Sequence, residues 1–385
     1  MKSSDQACIV GIGQTEFSKA SGRSEQQLAA ECILAACKDA GINPKTIDGM
    51  LTFDLDNSDE VDVMRSLGCK EIKYTARLPQ GGASSVSTIV HAKRAVEIGF
   101  CDTMVIWRAM NERSQYRFGQ PHFNLSPDAH SSTFMEWCFP FGAQTPAAWE
   151  ALSCGPYLHK YGVTSEDLGR IAVTFRTAAA SNPAAWFYEK PITLEDHQAS
   201  RWIVEPTLRL LDCCQESDGG VAIIITRGDM AKDLKQIPVQ IKAAEYSMYF
   251  NHEIISDFYA GDLIRSDNSE AVADALEKAC GIAPKDTDVA MIYDNFTPQV
   301  LRQLEGFKYC GVGEAKDYVK DGHLELHGKT PLSPNGGLMG EGYIHGMNNI
   351  TEGVRQIRGT AANQIKNAET AFLASGVAGA IIGRA

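Results

Sequence analysis

The sequence lacks the features that are typical of nucleic-acid-binding, membrane-spanning and secreted proteins. It has no Lys/Arg-rich run, and its net charge is −12, so no basic surface is available to neutralise nucleic-acid phosphates. It also has no run of about 18 apolar residues, the length that a membrane-spanning helix requires. The opening residues, MKSSDQACIVGIG, contain no long apolar stretch, so we expect no signal peptide. We therefore expect a protein that binds no nucleic acid and does not span a membrane.

The eleven cysteines are scattered and include no CxxC pair. Such pairs are typical of zinc sites and redox motifs, and disulfide frameworks usually contain an even number of cysteines. We therefore predict reduced thiols in a cytoplasmic protein, with no metal site. Most of the cysteines are expected to be small core residues.

Short apolar runs alternate with helical patterns along the chain. Residues 7–13, 50–53, 103–107 and 221–226 are expected to be buried strands, and residues 24–40 and 79–99 helices, the second preceded by a Gly-Gly turn. At 385 residues the chain is long enough for two domains or two halves. The alternation predicts βαβ units in a layered α/β fold.

Two short segments indicate an internal duplication. Residues 41–48 read GINPKTID and residues 281–288 read GIAPKDTD, with five of eight positions identical at an offset of 240 (281 minus 41). Each copy follows a helical segment and precedes an apolar strand. We therefore predict two similar halves, residues 1–235 and 236–385. The first half contains a long aromatic-rich excursion, at about residues 111–206, which we treat as an inserted loop domain.

A glycine-rich segment lies near the C-terminus. Residues 332–349 read LSPNGGLMGEGYIHGMNN, with five glycines in eleven residues. Tyr343 and His345, two side chains that can transfer protons, lie among these glycines. We interpret the segment as an active-site loop, because catalytic loops are often shaped by glycine. The alternative is a flexible surface loop.

Several segments resemble the thiolase superfamily. CIVGIGQTEF resembles its first strand, SDGGVAIIIT its Ser-Asp-Gly strand entry and SPNGGLMGEGYIHG its C-terminal glycine-rich loop. LHKYGVTSEDL and SNPAAW resemble the subfamily related to the thiolase part of sterol carrier proteins, often called non-specific lipid-transfer proteins. The resemblance covers nearly the whole chain. It implies a layered α/β/α fold of two duplicated βαβαβ halves, and a homodimer.

The catalytic residues of thiolases are missing from the matching positions. Gly82 stands where thiolases have the nucleophilic cysteine, and Ala374 where they have the second cysteine. Tyr343 replaces the histidine of Gly-His-Pro, and Tyr293 replaces the asparagine of Asn-Glu-Ala-Phe. Because neither cysteine position can form a thiolate, no acyl-enzyme is expected.

The two tyrosines are the predicted catalytic residues. We expect Tyr293 and Tyr343 to come from opposite halves of the fold and to converge beside Gly82, with Tyr293 as base and Tyr343 as acid. Asp294 and His345 are the nearest residues in sequence that could tune or relay a proton, since a free phenol has a pKa of about 10. Asp294 could equally be a structural cap. The alternative for both phenols is that they fill space and donate hydrogen bonds.

The resemblance also implies a chemistry. Thiolase pockets bind CoA thioesters and stabilise an enolate, and retro-aldol cleavage of a β-hydroxyacyl-CoA uses an enolate without a nucleophile. Backbone groups of Gly82 and Ala83, with Gly376, are the expected oxyanion site at a helix N-terminus. No cofactor is expected, because CoA is part of the substrate. The most similar subgroup comprises aldolases that cleave a 17-hydroxy steroid CoA ester into a 17-ketosteroid and propionyl-CoA, with a small OB-fold, acyl-CoA-associated partner.

Two other functions remain open from the sequence. One is a non-catalytic lipid- or acyl-CoA-binding subunit of a thiolase-like complex, and the other is a degenerate acetyl-CoA acyltransferase that uses another cysteine. The aromatic residues of the excursion either cover a flat apolar substrate or form the core of that region.

Overall fold

The computed structural model describes residues 6–79, 81–115, 117–120, 138–248, 264 and 267–385. The strands in this part of the chain are β1 (Ala7–Gln14), β2 (Gly49–Phe53), β3 (Tyr74–Leu78), β4 (Thr103–Asn111), β5 (Trp202–Val204), β6 (Leu208–Arg209), β7 (Asp218–Arg227), β8 (Val239–Tyr246), β9 (Val289–Met291), β10 (Thr370–Ser375) and β11 (Ala378–Arg384). The α-helices are α1 (Glu25–Ala40), α2 (Glu60–Leu67), α3 (Ser85–Glu97), α4 (Pro146–Tyr161), α5 (Ser165–Ala180), α6 (Leu194–Ala199), α7 (Gly228–Ala231), α8 (Asp267–Cys280), α9 (Thr297–Gly306), α10 (Ala315–Lys320), α11 (Gly337–Gly340) and α12 (Met347–Arg358).

Most of these strands form one mixed sheet. Within the described residues its order is β3-β2-β4-β7-β1-β8-β11-β10-β9, and β5 and β6 form a separate small ribbon. The first five strands of this order belong to the N-terminal half and the last four to the C-terminal half. The halves join where β1 pairs with β8, at Cys8 opposite Gln240 and Ile9 opposite Val239.

The two halves repeat one topology, as the GI-x-PK-x-x-D match predicts. Parallel β2 and β4 correspond to parallel β9 and β10, and the antiparallel β4-β7-β1 series corresponds to β10-β11-β8. Gly41 and Gly281 both end a helix with positive φ, at 74° and 75°, and each is followed by a one-turn 3-10 helix and a strand. The predicted fold of two duplicated α/β halves is therefore confirmed.

Helices α3 and α12 lie inside the molecule and connect the halves. Helix α3 packs on β7, β8 and β11, and α12 packs on β1, β9 and β10. Their apolar residues, such as Val90 and Val354, share one core with both halves. Helix α1 covers the outer face of the N-terminal strands, while α8 and α9 contribute to a separate C-terminal core. Both central helices begin directly after glycine-rich turns, so the duplication makes those turns structural counterparts.

Where the structure describes it, the inserted region contains helices α4, α5 and α6 and the short strand β5. The Thr164 and Asp167 side chains form the capping box expected at the start of α5. The predicted aromatic residues that are described are half-buried or exposed (Phe118, Phe139, Phe141, Trp149, Trp186, Phe187 and Tyr188). The buried aromatic side chains are instead Tyr157 and Phe175, which join the C-terminal core. The interpretation that the named residues form the core of this region is therefore wrong for those described. The others lie outside the described residues (Tyr116, Phe123, Phe134 and Trp137).

No described helix is long and apolar enough to cross a membrane.

Candidate active site

The glycine-rich segment is buried along its whole length, from residue 332 to residue 349. Its side chains Leu338, Ile344 and Met347 belong to the central core. Glycine allows the close approach to α5: Gly336 has φ 101°, and a Cβ there would lie 2.8 Å from Cα of Ala179. The interpretation of this segment as a flexible surface loop is therefore wrong.

Asp294 holds the glycine-rich segment in place through hydrogen bonds. Its Oδ2 accepts hydrogen bonds from the backbone N–H groups of Leu338 (2.8 Å) and Met339 (3.2 Å), and its Oδ1 accepts one from Asn349 Nδ2 (3.1 Å). Burial raises the pKa of this carboxyl to about 6. The geometry fits the structural-cap interpretation, because the carboxylate satisfies N–H groups at the start of α11.

Tyr293 and Tyr343 meet directly, with their hydroxyl oxygens 3.0 Å apart. Each side chain is 8 % exposed, and burial raises the pKa of both phenols well above the usual value. Both residues follow β8, so both belong to the C-terminal half, and the prediction that they come from opposite halves is wrong. The N-terminal half contributes Gly82 instead, in the turn that precedes α3.

Gly82 leaves the space that the Tyr293 hydroxyl occupies. A Cβ at position 82 would overlap the hydroxyl oxygen and Cζ of Tyr293 and lie 2.9 Å from its Cε2. A Cβ at Gly346 would also lie close to this ring, 3.0 Å from Cδ2 and Cε2. The phenol ring thus packs closely against two glycines. The tyrosine at position 293 therefore requires that position 82 has no side chain, so these two differences from thiolases depend on each other.

Two further residues hold the tyrosine pair, and neither is predicted from the sequence. The backbone carbonyl of Tyr293 accepts a hydrogen bond from Gln303 Nε2 (2.7 Å). The backbone N–H of Tyr343 donates to Ser217 Oγ (3.1 Å). These contacts fix the backbone of both tyrosines, so the phenols are positioned before a ligand binds.

A buried carboxyl, Glu112, lies beyond Ser217. It is 3 % exposed and accepts a long hydrogen bond from the Ser217 backbone N–H (3.4 Å). Burial and the nearby charge of Glu216 raise its pKa well above the usual value. A negative charge on Glu112 would raise the pKa of both phenols further, and burial of the Glu112 carboxyl opposes that charge.

His345 lies beside the phenols and is held by a buried ion pair. Its Nδ1 accepts a hydrogen bond from Arg108 Nε (3.1 Å), and Arg108 Nη1 pairs with Asp56 Oδ2 (3.1 Å). The imidazole is perpendicular to the Tyr343 ring, with centroids 5.3 Å apart, and stacks on Phe118 at 5.7 Å. Burial and the Arg108 charge lower the pKa of His345 well below its usual value. The imidazole is therefore neutral.

The predicted oxyanion residues lie at the start of α3. Gly82 and Ala83 are in the one-turn 3-10 helix Gly81–Ser84, which leads into that helix. The turn that contains Gly376, with φ 35°, reaches the same place, because Ser375 Oγ accepts a hydrogen bond from the Val86 backbone N–H (3.0 Å). The structure brings these backbone groups together, and their catalytic role stays a prediction.

The described residues contain no cluster of three His, Cys, Asp or Glu side chains that could hold a metal ion.

Alkylation of the cysteines should leave catalysis at this site largely intact, because no thiol has a lowered pKa. All eleven cysteines are free, and burial raises the pKa of each one. Only a thiolate is an effective nucleophile, so slow labelling and no thiolytic turnover of acetoacetyl-CoA are expected near pH 7.5. The measurement is the time course of iodoacetamide labelling by mass spectrometry. Thiolytic turnover that disappears when one cysteine is changed to serine would contradict this account.

The chain is similar to several known proteins. A family model described as "Thiolase C-terminal domain-like" matches residues 250–384. The chain is 47 % identical over 360 residues to a steroid side-chain-cleaving aldolase of Thermomonospora curvata, covering 93 % of this chain and 92 % of that protein. It is 46 % identical over 374 residues to a 17-hydroxy-3-oxo-4-pregnene-20-carboxyl-CoA lyase of Mycobacterium tuberculosis, covering 97 % of both.

A solved structure described as an Ltp2-ChsH2(DUF35) aldolase matches the fold with a TM-score of 0.93 and 44 % identity, covering 99 % of this chain and 98 % of that one. This likeness extends over both duplicated halves. The chain therefore belongs to the thiolase superfamily, in the family of the steroid side-chain-cleaving aldolases.

Proposed function

We propose that this protein is a lyase that performs retro-aldol cleavage of a β-hydroxyacyl-CoA thioester. The observation that carries the proposal is the hydrogen-bonded pair of buried phenols, whose Tyr293 hydroxyl fills the space above Gly82. The pair supplies proton-transfer groups, and no activated thiol is present among the eleven cysteines to support thiolytic chemistry.

The reaction proceeds through the two phenols in sequence. The substrate hydroxyl on Cβ gives its proton to the Tyr293 oxygen, and its O–H electrons form the new carbonyl. The Cα–Cβ bond breaks, and its electron pair passes to the thioester as an enolate. Tyr293 passes its own proton to Tyr343 across the 3.0 Å contact, and Tyr343 protonates Cα. The products are a ketone and a shorter thioester, and both tyrosines end as phenols.

Burial favours this relay over a free phenolate. Because the surroundings raise the pKa of both phenols, an isolated phenolate base would be costly to form. Transfer of a proton from Tyr293 as it receives another keeps each group close to neutral throughout. In this proposal the backbone N–H groups of Gly82 and Ala83, at the start of α3, stabilise the enolate oxygen.

The proposed substrate is a 17-hydroxy steroid with a three-carbon side chain as its CoA thioester. Cleavage would give a 17-ketosteroid and propionyl-CoA. The names of the two curated relatives support this class. Phe118 of the inserted region also supports it, because its ring stacks on the His345 imidazole and offers apolar surface beside the site. No cofactor is needed, since the thioester itself stabilises the enolate.

The direct test is incubation with this steroid CoA ester, with and without a small OB-fold partner of the acyl-CoA-associated kind. Equal amounts of 17-ketosteroid and propionyl-CoA are expected, and none from the matched ester that lacks the 17-hydroxyl. A carrier subunit would bind the ester and release neither product.

The name of the solved relative supports the partner for this chain. The free thiols support a cytoplasmic location.

We also propose a homodimer that uses the free edge of the sheet. Among the described strands, β3 pairs with β2 alone, and Tyr74 of β3 stacks on Phe100, which is 55 % exposed. Sedimentation should give twice the 41.9 kDa chain mass. Phe100→Lys should shift this value towards one chain. A parent protein that sediments as a single chain at micromolar concentration would contradict the proposal.

A further inference from the structure

The surroundings of His345 fix its tautomer. Arginine is a donor only, so the Arg108 Nε contact at 3.1 Å requires an unprotonated Nδ1. The proton of the neutral imidazole therefore lies on Nε2. Arg108 is itself anchored, because it pairs with Asp56, whose Oδ2 also accepts the Ala109 backbone N–H at 2.8 Å.

The Nε2–H group has no hydrogen-bond partner among the described residues, although the side chain is only 2 % exposed. A hydrogen-bond donor that has no protein partner beside a site is open to an atom of a ligand, and such a group calls for an explanation. The imidazole lies next to the turn before α3: its Cε1 and Nε2 atoms are 3.8 Å and 3.9 Å from the position of a Cβ on Gly81, the neighbour of Gly82. The donor is therefore close to the turn that contains the predicted oxyanion residues.

The backbone of His345 is unusual as well. Its φ is 49°, in the left-handed region that a non-glycine residue rarely adopts. Strain of this kind persists where the surrounding structure holds it, often at functional sites. Here it places the imidazole between Tyr343 and Phe118 and within reach of Arg108.

We propose that the His345 Nε2–H group donates a hydrogen bond to the thioester oxygen of the acyl-CoA substrate as that oxygen becomes an enolate. This inference rests on the proposed retro-aldol function. His345 would be a catalytic residue that keeps its proton throughout, and Arg108 and Asp56 would be positioning residues. A neutral imidazole is suited to this work, because it polarises a carbonyl without a full charge that must be desolvated.

The kinetic test compares two substitutions of His345. His345→Leu should lower kcat by about 10²–10³-fold, as loss of one oxyanion donor does, while KM changes only a few-fold. His345→Gln should recover part of the loss, since its amide N–H reaches a similar place. His91→Leu is the matched control, because His91 is exposed on α3, and it should change nothing. A kcat of His345→Leu within a few-fold of the parent, or a loss confined to KM, would overturn the proposal.

A spectroscopic test does not depend on turnover. In protein labelled with ¹⁵N-histidine, the His345 resonances, identified by their loss in His345→Gln, should show protonated Nε2 and unprotonated Nδ1 from pH 5.5 to 8.5. The groups that face the ring are the Arg108 cation from β4, the Tyr343 phenol from its own loop and the uncharged rings of Phe53 and Phe118. Propionyl-CoA should shift the Nε2–H signal, and Arg108→Leu should allow the second tautomer.

The two tests separate this inference from the proposed function. A parent protein that does not cleave the steroid ester would refute the proposed function, while the tautomer and its response to propionyl-CoA would still be measured. A His345 that titrates near the ordinary histidine pKa, carries its proton on Nδ1, or does not respond to bound propionyl-CoA would overturn the inference.

Discussion

Replacing Tyr343 by phenylalanine is expected to lower kcat by about 10²–10⁴-fold, the usual contribution of a general acid or base. The ring and its packing remain, so only the hydroxyl that touches Tyr293 at 3.0 Å is lost. Tyr293→Phe should have an effect of the same size, since it interrupts the same relay. The measurement is kcat for release of propionyl-CoA, with circular dichroism to verify folding.

The double variant sharpens this test. If the phenols act as one relay, Tyr293→Phe with Tyr343→Phe should be little worse than either single change, because residues that act as a unit are strongly non-additive. The matched control is Tyr188→Phe, which changes an exposed tyrosine of the inserted region. A Tyr343→Phe enzyme with kcat near the parent value would show that the phenol only lines the pocket.

Replacing Gly82 by alanine is expected to lower kcat by about 10²-fold or more, because a displaced catalytic group loses activity steeply with distance. Gly82 does not have a positive φ, so alanine fits its backbone and the effect comes from the new methyl group alone. That methyl would overlap the Tyr293 hydroxyl and force the ring to move. The overpacking should also reduce the free energy of unfolding by about 1–3 kcal/mol.

Gly155→Ala is the matched control for this substitution. Gly155 lies in α4, and a Cβ there would meet no heavy atom within 4 Å. Alanine should therefore leave kcat unchanged, but no stabilisation is expected, because Pro156 disfavours a Cβ on the helical residue before it. Both variants are compared by kcat and by urea unfolding. If Gly82→Ala keeps parental activity, the space above position 82 does not set the position of the Tyr293 phenol.

Much of the fold is predictable from the sequence, because local signals and the repeat agree. Gly41 and Gly281 end equivalent helices with the positive φ that their sequence context predicts. Ser24 caps α1, and the strands fall on the apolar runs. The packing of the inserted region is less predictable from the sequence. Its named aromatic residues do not form a core, and no periodic pattern in the sequence shows which of them are buried.

The site is predictable only in part. The replacement of a cysteine by Gly82 and the presence of Tyr293 and Tyr343 are visible in the sequence, and the structure brings these three positions together. Their assignment to opposite halves is wrong, because a repeat shows which elements correspond but not which of them supply the site. The Asp294 carboxylate is likewise visible, but its role as a cap depends on contacts with a distant loop.

Arg108 and Glu112 show why the rest of the site is missed. The apolar run of β4 suggests a strand that stops before Arg108, yet β4 continues to Asn111 with Arg108 buried. An arginine directly after a fully apolar strand is a signal that sequence reasoning could use. Arginine is rarely buried unless it is paired, so a buried Arg108 predicts a buried partner. Its partners Asp56 and His345 come from distant segments, so no local pattern identifies them. Glu112 is missed for the same reason, because its partner Ser217 also comes from a distant segment.

The central claim, a retro-aldol cleavage in which Tyr343 protonates Cα without any covalent intermediate, is tested most directly by mass spectrometry of a reaction run in D₂O. The 17-hydroxy steroid CoA ester is supplied to the enzyme with the proposed OB-fold partner and no free CoA. We predict one 17-ketosteroid for each propionyl-CoA, one deuterium at C2 of that propionyl-CoA, and no mass shift on the protein. Cleavage that requires free CoA, or an acyl adduct on any of the eleven cysteines, would contradict the account.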